Sequence, residues 1–302
     1  MADQVSHAAS VLDDLVQPFQ IDSLGVNGRV VRLGPVLDTL LAPHDYPVTV
    51  RNLLSQMIVL ATSLASVLKF DGVFTLQAQG DGPISLMLAD VTSTGGLRAY
   101  ARFDADRLAG CVVSGAPVPT YMGSGHLAFT VDQGPETDRY QGITELTGAT
   151  LADCAHTYFR QSEQLETAIL LAASDDPSMA GSVMMQRLPV GRNQTSDEAD
   201  EAWRRAVILM SSLTPDELLD PTISTDRLLY RLYHQEGVRV TDSRPISATC
   251  RCSRQKVATT LASFPKSEIE ELAEDGQVKV TCEFCRTDYV FDRADIDALF
   301  AA

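Results

Sequence analysis

Four of the chain's six cysteines crowd toward one end, as Cys250-Arg251-Cys252 and Cys282-Glu283-Phe284-Cys285, with residues 253–281 between the pairs. No other feature limits the fold as strongly. Two close pairs of thiols supply the four ligands of a tetrahedral Zn2+, each pair from one local turn, once the intervening chain folds back. The C-x-C spacing of the first pair departs from the usual C-x-x-C of zinc ribbons. The connecting residues predict a helix over 253–264 ended by Pro265, and a second helix capped by Ser267-Glu268-Ile269-Glu270 and stopped at Gly276. A short strand over 278–281 then delivers the second pair. Free or buried thiols and a permanent disulfide pair are the competing readings of the same residues.

The large apolar residues of this segment are few: Leu261, Phe264, Leu272, Phe284, Tyr289 and Phe291. A core that small does not stand alone. Metal ligation in comparable peptides contributes roughly 10–16 kcal/mol, so the segment is expected to fold with the ion and unfold without it. Arg251, Arg254, Lys256 and Arg286 are expected to offset the negative charge of four thiolates. Each pair also holds a thiol placed to capture a sulfenic acid formed on its neighbour, which would expel the metal. From the residues alone, a redox switch and a static zinc module stand level.

Lys and Arg number 24 against 40 Asp and Glu, a formal charge of −16, and no basic run offsets it. Nucleic acid is therefore not an expected partner. The residues from Met1 to Val16 carry Asp3, Asp13 and Asp14 and no apolar core, so no export signal is read there. The most apolar stretch, 57–68, is too short to span a bilayer. The sequence thus predicts a soluble cytoplasmic protein without a membrane partner, in a compartment where clustered thiols favour metal or redox chemistry over disulfide staples.

Four segments are expected: a polar tail over 1–18, a core over 19–190, a helical linker over 191–245 and a zinc-binding redox-switch domain over 246–302. In the core, Pro47 opens a long helix over 48–68. Strand-like runs at 73–79, 84–91, 97–103, 126–131, 167–173 and 181–188 are separated by short Gly-rich turns, with a helix over 150–164 capped by Thr150. Consecutive strands with few intervening helices predict the α+β class, an antiparallel sheet with packed helices. A boundary is expected at 191–195. Thr195-Ser196-Asp197-Glu198 is a capping box, and Ala199, Ala202, Trp203, Ala206, Val207 and Met210 form a one-faced apolar stripe behind it. Further short helices are expected after Thr214 and Ser224.

Other candidate features carry less. Gly123-Ser124-Gly125-His126-Leu127-Ala128 fits a dinucleotide fingerprint formally, but it precedes a strand-like run and reads as a tight turn. Cys154 and Cys111 read as buried small side chains. The five histidines show no metal spacing, and no catalytic motif is found. A thiol-disulfide oxidoreductase would need its C-x-x-C at a helix start in a βαβ unit, whereas Cys282–Cys285 follows a strand.

Cys250-x-Cys252-Ser253-Arg254-x-Lys256, with Cys282-x-Phe284-Cys285-x-x-x-Tyr289-x-Phe291, resembles the redox-regulated 33-kDa heat-shock chaperone (33 kDa chaperonin) family. So do Gly80-Asp81-Gly82-Pro83, the block from Tyr140 to Leu146 and the block from Tyr158 to Gln164, in the family's order. The resemblance implies an ATP-independent holdase for unfolding client proteins. It implies zinc on Cys250, Cys252, Cys282 and Cys285 in the reduced state, with the linker docked on the core. On oxidation it implies disulfides Cys250–Cys252 and Cys282–Cys285, loss of zinc, undocking of the linker and a homodimer. Glu166 stands where the family often has proline, and the polar N-terminal tail is extra. The stripe around Trp203 agrees with this picture, because an apolar face needs a cover and the core is the one at hand.

Overall fold

The computed structural model describes residues 12–112, 115–134, 137–189 and 195–300. The chain divides into two compact units, Met1–Ala248 and Thr249–Ala302. Most of the expected boundary at 191–195 and most of the polar tail lie outside the described residues.

The first unit begins with the strands β1 (Leu15–Ile21) and β2 (Val26–Leu33), followed by helices α1 (Pro35–Leu41) and α2 (Val48–Val67). Strands β3 (Val73–Gly80), β4 (Ile84–Thr92) and β5 (Gly96–Phe103) come next, then the short helices α3 (Ala105–Ala109) and α4 (Pro117–Tyr121). After β6 (Gly125–Asp132) and β7 (Tyr140–Glu145) come α5 (Leu151–Tyr158) and the strands β8 (Thr167–Asp175) and β9 (Ser178–Arg187). Helices α6 (Ser196–Ser211), α7 (Pro215–Leu219) and α8 (Thr225–Tyr233) lead into three short strands, β10 (Val238–Val240), β11 (Arg244–Pro245) and β12 (Ser247–Ala248).

These strands make two sheets. The first runs β10-β1-β2-β9-β8 with β11 also on β1, and the second runs β12-β5-β4-β3-β6-β7. Every pairing is antiparallel except β12 on β5. The expected α+β architecture is therefore present, with two sheets where one was foreseen.

Helix α2 packs against both sheets and is apolar almost all round, as a helix buried on every side must be. It is long and apolar enough to cross a membrane by composition, but it is the core helix, with 72% of its most apolar window buried inside the protein. The first sheet buries both faces. In β2, Val31 and Leu33 join the core around α2, while Val26 and Val30 face a second cluster built with α6, α7 and α8. Period-two alternation thus splits one strand between two cores.

Strand β1 takes in residues from Leu15 that the sequence reading gave to the tail. Pro18 explains the misreading. It has no N–H to offer a neighbouring strand, and the flanking strands β10 and β11 stop on either side of it. The side chain of Gln17 fills the gap by donating to the Thr241 carbonyl. The helix expected over 150–164 is α5 followed by a π turn over Phe159–Glu163, which ends at Gln164 in the left-handed region, φ 52°. Cys154 is fully buried, as expected, whereas Cys111 is only half-buried. At the glycine-rich turn, Gly123 sits at φ 68° and Ser124 donates its N–H to Asp81 at 2.8 Å, so this segment is a turn against the β3–β4 hairpin.

Candidate metal centre

The second unit holds the helices α9 (Arg254–Leu261) and α10 (Lys266–Glu271), the two-stranded antiparallel sheet of β13 (Gln277–Thr281) and β14 (Asp288–Asp292), and α11 (Arg293–Leu299). Ser253 caps α9 by accepting from the Lys256 N–H at 3.2 Å. The cap foreseen at Ser267 does not form: α10 starts two residues earlier, with Pro265 as its N-cap at φ −58° and no side-chain cap. The buried core is Ala258, Leu261, Ile269, Val278, Phe291 and Ile296. Phe264 and Leu272, counted toward it from the sequence, are 47% and 64% exposed. The core is thus even slighter than the composition suggested.

Cys250 and Cys252 flank one residue in the segment that leads into α9, and residues two apart on an extended chain share a side. Cys282 and Cys285 lie in the turn between β13 and β14. That turn is closed by Arg286 N–H to Cys282 O at 2.9 Å and Cys282 N–H to Thr287 O at 2.9 Å, with Arg286 in the left-handed region at φ 56°. The C-x-x-C pair is therefore not at a helix start, and the context of a disulfide oxidoreductase is missing.

All four sulfurs lie within 4.8 Å of one another and all four residues are half-buried. Cys250 Sγ is 3.3 Å from Cys252 Sγ and 3.8 Å from Cys282 Sγ, and Cys252 Sγ is 3.4 Å from Cys285 Sγ. Ligands about 2.3 Å from the centre of a tetrahedron stand about 3.8 Å apart, so the cluster fits around a single metal ion.

The electrostatics single out one sulfur. Burial opposes ionisation of Cys285, but the Thr287 hydroxyl and N–H and the neighbouring thiols hold it down to about 6. Burial pushes Cys250 up to about 12 and also raises Cys282, and hydrogen bonds with neighbouring thiols add to both shifts. The cluster therefore needs positive charge at its middle to ionise fully. Two of the basic residues expected to provide it, Arg254 and Lys256, are otherwise engaged. Arg254 donates to Val290 O at 2.6 Å and Asp295 at 2.7 Å and lies over the Phe291 ring, and Lys256 donates to Arg251 O at 2.8 Å. They tie the fold together instead.

Two neighbours carry roles that the sequence did not reveal. Tyr289 donates its hydroxyl to Cys252 Sγ at 3.0 Å, and Thr287 Oγ1 lies 3.2 Å from Cys285 Sγ. Tyr289 belongs to the quoted motif, so its spacing from Cys285 was a usable signal. Thr287 had none.

Fold and site together define a class: an α+β protein that carries a self-contained four-thiol module able to hold a metal ion. Residues 14–292 match the family described as Hsp33 protein. The 33 kDa chaperonin of Caulobacter vibrioides is 44% identical over 293 residues, covering 93% of this chain and 96% of that protein. The 33 kDa chaperonin of Ectopseudomonas mendocina is 39% identical over 292 residues, covering 96% of each. The crystal structure of the Thermotoga maritima 33 kDa chaperonin superposes with a TM-score of 0.78 over 95% of this chain and 97% of that one, at 22% identity, which speaks to the fold. This chain belongs to the Hsp33 family of redox-regulated, non-enzymatic holdase chaperones.

Proposed function

We propose that Cys250, Cys252, Cys282 and Cys285 hold one Zn2+ while reduced, and that oxidation joins Cys250 to Cys252 and Cys282 to Cys285. The observation that carries this is the sulfur quartet within 4.8 Å on a core of six buried side chains. Four soft thiolates in a closed tetrahedron suit zinc, which when bound supplies the central charge that keeps them ionised together. Forming two disulfides removes four electrons, which two equivalents of hydrogen peroxide accept while being reduced to water. The sulfur distances allow cross-pairs as well. The local pairs are favoured by the family resemblance and by the short chain within each pair.

Thiols locked in disulfides no longer ligate, so the small unit loses its main stabilisation. In this reading that loss spreads into the preceding linker. Its apolar stripe and the sheet face beneath it then become the surface for unfolded clients, and the oxidised chain pairs as a homodimer in the cytoplasm.

The test is peroxide titration of the reduced, zinc-loaded protein. One zinc should leave per chain while six free thiols fall to two, Cys111 and Cys154, with suppression of client aggregation rising in parallel. Burial pushes Cys154 up to about 11, so it should stay unreactive. Peptide mapping should find the two local disulfides. Retention of zinc under peroxide, or cross-paired disulfides, would overturn the scheme.

A further inference from the structure

An open cleft of about 630 Å³ lies in the first unit where the end of α2 meets β2, the β4–β5 turn and β11. Three of its lining side chains are cations, Arg29, Lys69 and Arg244, and among the described residues no carboxylate lines it or pairs with any of the three. In a chain of formal charge −16 such a convergence runs against the average. Arg29 is the most constrained member. Its Nη1 donates to Gly28 O at 2.7 Å, but its buried Nε has no partner. Burial first, and then the charge of Arg244, pull its pKa below the ordinary arginine value. An uncompensated, partly desolvated guanidinium beside a second one is costly unless an anion joins them.

We infer that this cleft binds a small oligophosphate anion, held by Arg29 from within and by Lys69 and Arg244 from the rim. Guanidinium forks match phosphate oxygens, and the volume suits a small molecule. A long polyanion is disfavoured by the acidic surface outside the cleft. Phe70 also lines it and offers a ring to any flat group carried on the phosphates. Arg244 lies on the short strand that pins the end of the linker to β1, so a bound anion would cross-link that strand to the core.

Calorimetric titration of the reduced, zinc-loaded chain at low ionic strength with inorganic tripolyphosphate, and separately with ADP, tests the site. One saturable site per chain is expected for at least one of them. Equal affinity places recognition on the phosphates alone, and tighter ADP binding adds the Phe70 wall; either supports the site. Arg244→Gln and Lys69→Gln, both at exposed positions, should each weaken binding about tenfold, the effect of losing one charge-assisted contact. Arg239→Gln removes the same charge from a residue paired with Asp22 and should leave binding unchanged. No saturable binding of either anion, or equal losses in Arg239→Gln and Arg244→Gln, would overturn the inference. The assay uses neither oxidant nor client, so its failure is separate from any failure of the switch.

Discussion

Tyr289 shows how much one hydroxyl contributes to the thiol cluster. Its hydrogen bond to Cys252 Sγ at 3.0 Å orients that sulfur and spreads its negative charge, and the same bond pushes the tyrosine's own pKa up to about 12. Partners of metal ligands typically carry about 10–100-fold in affinity. Tyr289→Phe is therefore expected to weaken zinc binding by about tenfold and to lower the peroxide concentration at which zinc leaves, with the fold of the reduced unit retained. Competition against a chromophoric chelator measures the first effect directly, and an unchanged affinity would make Tyr289 a packing residue only. Glu166, the departure from the family's proline, also finds a partner. It pairs with Arg187, whose other nitrogen reaches Asp200 at 2.6 Å, so one guanidinium at the end of β9 links the residue before β8 to helix α6.

At the scale of elements, the linker is held by more than its stripe. Tyr233 is buried against Phe19 and donates to Ala206 O at 3.3 Å. Arg32, buried in the sheet face beneath, donates to Leu218 O at 2.9 Å, to Ile223 O at 2.5 Å and to Asp220 O. Hydrogen bonds to a charged group contribute about 1.5–3 kcal/mol each where measured singly. Arg32→Met should therefore destabilise the docked linker by at least about 2 kcal/mol and give partial holdase activity without oxidant. Trp203, the chain's only tryptophan, sits half-buried on α6 and reports the change as a red-shifted emission. The same probe reads a pH effect. Glu198 and Glu217 accept the cap N–H groups of Thr195 and Thr214, which hold both carboxyls below their ordinary 4.5. A lowered folded pKa stabilises fully above pH 4.5, and that contribution is lost as pH falls through the folded value. Trp203 emission should stay constant from neutrality to about pH 5 and shift only on further acidification. A shift beginning above that point would assign linker release to other groups. These helices were legible in the sequence because capping boxes and a 3.6-residue stripe are local signals. Strands β1, β2, β7, β10, β11 and β12 were not. Leu15–Ile21 is interrupted by Pro18, and β10, β11 and β12 are two or three residues long and exist only by pairing with distant partners. The cleft of Arg29, Lys69 and Arg244 was hidden for the same reason, since no run of basic residues announces it. The thiol quartet was readable because cysteines so rarely cluster without a use, whereas the charge balance around it depended on where Arg254 and Lys256 point.

For the whole molecule, the decisive contrast is between the two units. The first buries α2 between two sheets and covers one sheet's outer face with α6 to α8, so its stability rests on two extended apolar clusters. The second relies on six buried side chains, two of them Ala258 and Val278, with arginine and lysine ties that are largely exposed and therefore weak. Six buried side chains are too small a core to hold a unit of some fifty residues folded unaided. On the proposed reading, metal ligation by the four thiols supplies the stabilisation that so small a core lacks. Removing the metal from reduced protein with a strong chelator should therefore leave the amides of α2 and the central strands protected while those of α9, α10, β13, β14 and α11 exchange freely. Hydrogen-exchange mass spectrometry resolves the two units by peptide. Adding zinc back under reducing conditions should restore protection over 249–302 alone. If that segment stays protected in the metal-free, reduced chain, its fold does not depend on the ion, and oxidation of the four thiols would have no stability to release.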